Sequence, residues 1–291
     1  MPDTFVTASP QWAWFIIPYF FIGGIAGAVY WLAAMLEWAG RPEDRPVIRS
    51  AYSIAFWGSV VCAVLLTIDL GRPLRFWHML FESDNFPRLA FKSWSPISFG
   101  AWALLLFGGC AFISWRSKTP GSVTKMVATI GGFPIGLILA GYTGVLLSVT
   151  NRPIWAESPW LGALFLASSA STGAATLRLL AARRDASAGL LAWLESFDRR
   201  ALVFELIILL LFVGWLWPIR QIWLSFWGVL LLVGVIWAGI IWPLTLQRRP
   251  AAAGAFRNPA VMVLLGGFLL RVVIVLASNG IQHETVAANA R

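Results

Sequence analysis

Histidine and cysteine are nearly missing from this 291-residue chain, which carries two of each. A transmembrane b-type haem needs axial ligands inside the bilayer, most often histidine. His78 and His283 both fall in segments outside the long apolar runs. Iron–sulfur clusters normally need four thiolates; Cys62 and Cys110 read instead as small apolar core residues. Charge is scarce too. Asp, Glu, Lys and Arg make up 12% of the chain, about half the share in a water-soluble globule. No phosphate-binding glycine loop, zinc motif or Ser–His arrangement occurs. These shortages exclude a soluble enzyme, a disulfide scaffold and a disordered chain. Redox work, if any, needs a bound organic carrier and a partner that holds the metal centres.

Apolar residues dominate instead: 59% of the chain, with 18 Trp and 20 Phe and a mean hydropathy of +0.75. Eight continuous apolar runs approach the roughly 20 residues that a membrane helix needs. They lie near 12–39, 49–69, 95–115, 125–149, 158–181, 201–217, 222–246 and 259–279. Continuous rather than alternating hydrophobicity speaks for helices over strands. The first run reads as a retained span and not a cleaved signal peptide, because MPDTFVTASPQ before it has no Lys or Arg. Trp38, Trp115, Trp160, Trp217 and Trp242 cluster near run ends, as an aromatic belt does.

Basic residues orient the spans. The loops after runs one, three, five and seven hold 14 Lys or Arg, whereas the opposite side holds 7. Cytoplasmic loops carry the excess, so both termini are expected outside. The net charge of +9 is then a topology signal rather than a nucleic-acid footprint. Between helices lipid supplies no hydrophobic drive, so small residues must allow close approach. Gly132, Gly136, Ala140 and Gly144 recur every four residues, as do Gly23 and Gly27. Runs one and five also share a pattern, FFIGGIAGA at 20–28 and LFLASSASTGA at 164–174.

Ionisable groups inside spans are functional candidates by default. Four qualify: Glu37, Asp69, Glu205 and Arg271. Glu37 and Glu205 lie near the expected inner ends, where they either reach interfacial water or a nearby Arg, or belong to an inward proton path. Arg271 needs a buried carboxylate, carbonyls or a water-filled cavity. Asp69 closes the second run at the outer face, in Thr67-Ile68-Asp69-Leu70-Gly71-Arg72-Pro73-Leu74-Arg75-Phe76-Trp77-His78-Met79. One reading is a helix-end carboxylate neutralised by Arg72 or Arg75. The other is a proton acceptor for a lipid-soluble carrier that enters sideways from the bilayer.

With the Asp69–Pro73 block and Phe76-Trp77, two further strings carry a resemblance. They are Ser95-Pro96-Ile97-Ser98-Phe99-Gly100-Ala101-Trp102 and Gly141-Tyr142-Thr143-Gly144-Val145-Leu146-Leu147-Ser148. In order and spacing the sequence resembles the NrfD/PsrC family of polysulfide-reductase-like membrane subunits. The match is carried mainly by residues 12–150. The resemblance implies an all-α membrane protein of eight helices in two four-helix bundles, 12–150 and 151–279. Short tails, 1–11 and 280–291, and an outer loop, 70–94, complete the expected layout. Both termini would face outward from the bacterial cytoplasmic (inner) membrane.

It further implies a subunit without redox metals that binds menaquinone or ubiquinone as substrate near the outer face. Electrons would pass to or from an outer ferredoxin-like iron–sulfur subunit, joined to a molybdopterin catalytic subunit. By position Asp69 looks like the family's acidic quinone-site residue and Tyr142 like its span-four tyrosine. Tyr19, Gly23 and Thr67 fall at neighbouring quinone-site positions. Arg72, Arg75, His78 and Ser98 are supporting or docking candidates, with Glu82, Asp84, Arg88 and Lys92 adding mixed charge to the loop. A purely structural anchor and a secondary transporter are the rival readings. Neither the terminal substrate nor the direction of electron flow is legible.

Overall fold

A computed structural model of the protein describes residues 15–39, 41–82, 88–92, 94–117, 119, 122–150, 152–184, 186–247 and 258–289, with side chains as far as Ser278. Trp12, Trp14, Asp84, Lys118, Arg248, Arg249 and Arg257 lie outside the described residues. Eight long helices follow one another: α1 Ile16–Trp38, α2 Arg45–Asp69, α3 Pro96–Arg116, α4 Val123–Ser148, α5 Leu161–Arg183, α6 Ala188–Trp215, α7 Phe226–Leu246 and α8 Pro259–Asn289. Seven of them are long and apolar enough to cross a membrane, and α6 is the exception. Among the described residues the only strand pairing is an isolated bridge between Phe81 and Leu89.

Local chemistry sets the helix ends. Ser95 accepts the Ser98 N–H at 3.4 Å and Pro96 takes the first helical position of α3, a cap and a pre-set φ at one start. Gly71 sits at φ +64° immediately after α2, where a residue with a Cβ is disfavoured.

One expected boundary is corrected. Instead of starting near 201, α6 begins at Ala188, where the Ser187 hydroxyl accepts the Leu190 N–H at 3.2 Å. Its first turns hold Leu190 and Leu194 buried, but Glu195, Asp198, Arg199 and Arg200 follow them, so hydropathy alone misses them. The expected last span, 259–279, agrees with the apolar part of α8, Pro259–Ser278, and the helix continues to Asn289. Hydropathy marks where apolar contact ends, whereas helical hydrogen bonding continues beyond it.

The central helix is α1, which packs on α2, α4, α5 and α8. Around it α3 bridges α2 and α4, while α5 joins α6 and α8, and α8 packs on α7. The small-residue spacing does what was expected of it. A Cβ on Gly27 would run into the Gly136 carbonyl and Ala140, so α1 and α4 touch backbone to backbone. The segments 20–28 and 164–174 pack on each other. Phe20 faces Phe165 at 6.1 Å between ring centroids, Gly24 faces Ser169, and Ala28 faces Gly173. Residue numbers rise together along both helices, so α1 and α5 run parallel. The pattern they share is the pattern of their mutual contact.

Candidate functional site

The backbone leaving α2 is folded back by Asp69–Pro73. The Leu70 N–H reaches the Thr67 carbonyl at 3.4 Å, and the Arg72 N–H reaches that of Leu70 at 2.7 Å. Pro73 then opens a 3-10 helix, Pro73–Met79. Asp69 therefore stands on the last turn of α2, with Met79 brought over it. The carboxylate lines a cavity of about 170 Å3 together with Tyr19, Met79, Gly100 and Tyr142. Ile16, Leu66, Leu70, Ile97, Ala101 and Leu146 complete the lining. Three oxygen-bearing side chains from three helices meet in an otherwise apolar pocket.

Tyr142 is held closely. Its hydroxyl donates to the Pro96 carbonyl, and its ring lies 6.1 Å from that of Phe99. A Cβ on residue 100 would collide with the phenol oxygen and ring; Gly100 makes room for it. The phenol proton being committed to Pro96, its oxygen remains an acceptor toward the pocket. Tyr19 is buried one helix away. Among the described residues no ion pair joins Asp69 to Arg72 or Arg75, so the neutralised helix-end reading lacks its partner.

Other candidates lie elsewhere. Gly23 packs near the Cys62 sulfur, and the Thr67 hydroxyl donates to the Ala63 carbonyl at 2.7 Å; neither lines the pocket. Arg72 and Arg75 are exposed. His78 stands edge-on to Trp77 at 3.9 Å. Ser98 ties residues 90–92 to the start of α3: its oxygen accepts the Lys92 N–H at 3.1 Å and its hydroxyl donates to the Ala90 carbonyl at 3.3 Å. Trp102 donates to the same carbonyl at 3.2 Å. Met79 and Gly100 are pocket residues that a search for ionisable and hydroxyl groups passes over. Gly100 stands within the Ser95–Trp102 string and Met79 closes the Thr67–Met79 string, but the sequence assigns neither a site role.

The remaining membrane charges fall into two groups, Glu37 with Lys125 and Glu205 near Arg271. Glu37 accepts from the Tyr52 hydroxyl at 2.7 Å and pairs with Lys125. The Glu205 carboxylate accepts from Ser171 at 2.6 Å. Arg271 donates to the Ser168 hydroxyl at 2.9 Å, the Ser169 hydroxyl at 3.0 Å and the Gly267 carbonyl at 2.7 Å. Its guanidinium lies 5.6 Å from the Phe21 ring centre and 5.3 Å from that of Phe165. Hydroxyls, a carbonyl and aromatic faces thus surround this charge, and the buried Glu205 carboxylate, which shares Ser168 with it, acts on it electrostatically. Outside the spans, Arg152 is buried, rests 4.9 Å from the Trp155 ring centre and donates to Ser278 at 3.3 Å. Burial pushes its guanidinium pKa down from the ordinary arginine value.

The family model described as "Polysulphide reductase, NrfD" matches residues 3–281. A protein NrfD homolog of Haemophilus influenzae is 26% identical over 315 residues, covering 96% of this sequence and 97% of that protein. A polysulfide reductase subunit of Wolinella succinogenes is 26% identical over 228 residues, covering 70% of this sequence and 69% of its own. Protein NrfD of Escherichia coli is 27% identical over 199 residues, covering 60% and 61%.

Proposed function

Since this chain belongs to the NrfD family of integral membrane proteins, we propose that it is the quinol-interacting membrane subunit of a respiratory oxidoreductase. The observation that carries this reading is the convergence of Asp69, Tyr19 and Tyr142 on one pocket at the end of α2. Pockets that enclose a drug-sized ligand usually reach about 300–1,000 Å3. A cavity of about 170 Å3 suits a quinone ring whose isoprenoid tail stays in lipid.

In the oxidising direction the Asp69 carboxylate accepts a proton from one quinol hydroxyl and passes it to the outer water. The Tyr142 oxygen, oriented by Pro96 and Gly100, accepts a hydrogen bond from a quinol hydroxyl. The same carboxylate, once it has released the first proton to water, accepts and releases the second. With the loss of two electrons the quinol becomes quinone, menaquinone or ubiquinone. The electrons leave to an iron–sulfur cluster of an outer-face ferredoxin-like partner, which serves a molybdopterin catalytic subunit. Quinone reduction runs the same steps backward. The Wolinella relative, by its name one part of a reductase, supports a life in a multi-subunit complex.

On this reading α6 crosses the bacterial inner membrane as an eighth span and both termini face outward. The protein then divides into bundles of α1–α4 and α5–α8. The apolar stretch of α6, Ala201–Trp215, is about 22 Å long at 1.5 Å per residue. A hydrocarbon core of about 30 Å is reached when neighbouring polar turns extend into the interface.

Asp69→Asn should abolish quinol-linked turnover while the complex still assembles. Unchanged turnover in an assembled D69N complex overturns the assignment.

A further inference from the structure

At the opposite end of α2 from Asp69, about 36 Å away along a helix of this length, lies the larger cavity, of about 970 Å3. Five cations line it: Arg41, Arg45, Arg49, Lys125 and Arg184. Among the described residues its one carboxylate, Glu37, is taken up by Lys125 and by the Tyr52 hydroxyl. None of the four guanidinium groups belongs to an ion pair among the described residues. Asp44, the residue before α2, does not cap it; its carboxylate accepts from the Ser187 hydroxyl at 3.2 Å instead. The start of a 25-residue helix therefore adds the positive end of its dipole to the same space.

A second feature adjoins the charge. Trp115 lines the cavity and stacks on Phe56, with ring centroids 5.6 Å apart and planes at 23°. Phe56 in turn meets Trp57 at 5.2 Å and Phe112 at 5.3 Å. Trp57 and Phe112 are 54% and 44% exposed on the outer surface of α2 and α3. Phe56 lies eleven residues into α2 from Arg45, about 16 Å along its axis. The aromatic wall thus runs from the basic cavity toward the middle of the bilayer.

We infer that this cavity binds the phosphodiester headgroup of an anionic phospholipid, whose acyl tails lie along Phe56, Trp57 and Phe112. A soluble phosphate would use the cations but leave the aromatic wall unexplained. A zwitterionic lipid would use the wall but bring no net charge to four guanidinium groups that have no ion pair among the described residues. A lipid with two phosphates, diphosphatidylglycerol, matches both, and basic pockets between membrane helices bind such headgroups. The inference requires only that the protein sits in a bilayer, and is independent of the quinone pocket at the other end.

The test uses the protein purified with its native partners, stripped of lipid and titrated with defined lipids under native mass spectrometry. Diphosphatidylglycerol should be retained in preference to phosphatidylethanolamine. R45Q/R49Q should weaken retention about thirtyfold, R45K/R49K should restore it, and R72Q/R75Q at the other end should leave it unchanged. W57A/F112A should also weaken it. Equal retention of phosphatidylethanolamine, or wild-type retention by R45Q/R49Q, overturns the site. Inorganic pyrophosphate binding as tightly as the lipid, with W57A/F112A silent, overturns the lipid in favour of a soluble anion. A photoactivatable diphosphatidylglycerol gives a readout on the wild type that does not depend on any variant folding. Crosslinks at 45–57 and 112–125 support the site, and crosslinks confined elsewhere overturn it.

Discussion

The Tyr142 phenol occupies the space that a side chain on residue 100 would fill. Gly100 on α3 and Tyr142 on α4 are thereby one unit, closed by the phenol hydroxyl donating to the Pro96 carbonyl one turn before the glycine. The serine-proline start of α3 and the span-four tyrosine are distant in sequence yet act on the same oxygen.

Gly100→Ala should therefore displace Tyr142. Overpacking of this kind costs about 1–3 kcal/mol, to be read as a lower thermal midpoint in detergent. Quinol-linked turnover should fall with it. Gly109→Ala on the same helix meets nothing within 4 Å, and should leave both unchanged.

Asp69→Asn and Tyr142→Phe should separate proton transfer from positioning. The asparagine variant loses the proton acceptor and should lose turnover at every quinol concentration. The phenylalanine variant loses a hydrogen bond to Pro96, worth about 0.5–1.5 kcal/mol, and keeps the carboxylate. Its apparent quinol affinity should drop more than its limiting rate. Steady-state kinetics on the assembled complex distinguish the two.

Arg271 should be among the most costly polar residues to replace. Arg271→Leu leaves the Ser168 and Ser169 hydroxyls and the Gly267 carbonyl without their donor. Each lost hydrogen bond to a charged group is worth about 1.5–3 kcal/mol. A strong fall in thermal midpoint is expected, whereas exposed Arg75→Gln should stay within about 0.5 kcal/mol of wild type. Gly24→Ala pushes on the Ser169 hydroxyl and approaches the Arg271 guanidinium to 3.1 Å, so it should reproduce part of the loss.

Single cysteines and a membrane-impermeant maleimide test the topology. Arg88→Cys should label from the outside, and Arg184→Cys only after permeabilisation. Leu224, 82% exposed between α6 and α7, decides the eighth crossing. Labelling of Leu224→Cys from outside means that α6 spans. Labelling only with Arg184→Cys means that it does not.

Much of this was legible in order along the chain. Asp69-Leu-Gly-Arg-Pro marked the end of α2 because Gly71 supplies the positive φ that stops a helix. Gly27 and Gly136 marked a helix contact because only small residues permit it. Thr67 was less legible. Two positions from Asp69 its hydroxyl turns back to Ala63 on its own helix, as a threonine inside a helix often does. Met79 entered the pocket through the course of a 3-10 turn that no periodicity announces.

The sequence by itself determined that this is a membrane protein with scarce metal ligands, and roughly where its helices run. Those properties are local, because in lipid each helix must satisfy its own backbone and bury its own apolar length. The tertiary structure alone decided which side chains share a space. Arg271 found Ser168 and Ser169 about a hundred residues away, and Tyr142 found Pro96 across a helix pair. Such meetings depend on how closely neighbouring backbones approach and on the rotation of each helix about its axis. Both are set by packing between helices, which is not written in any single span.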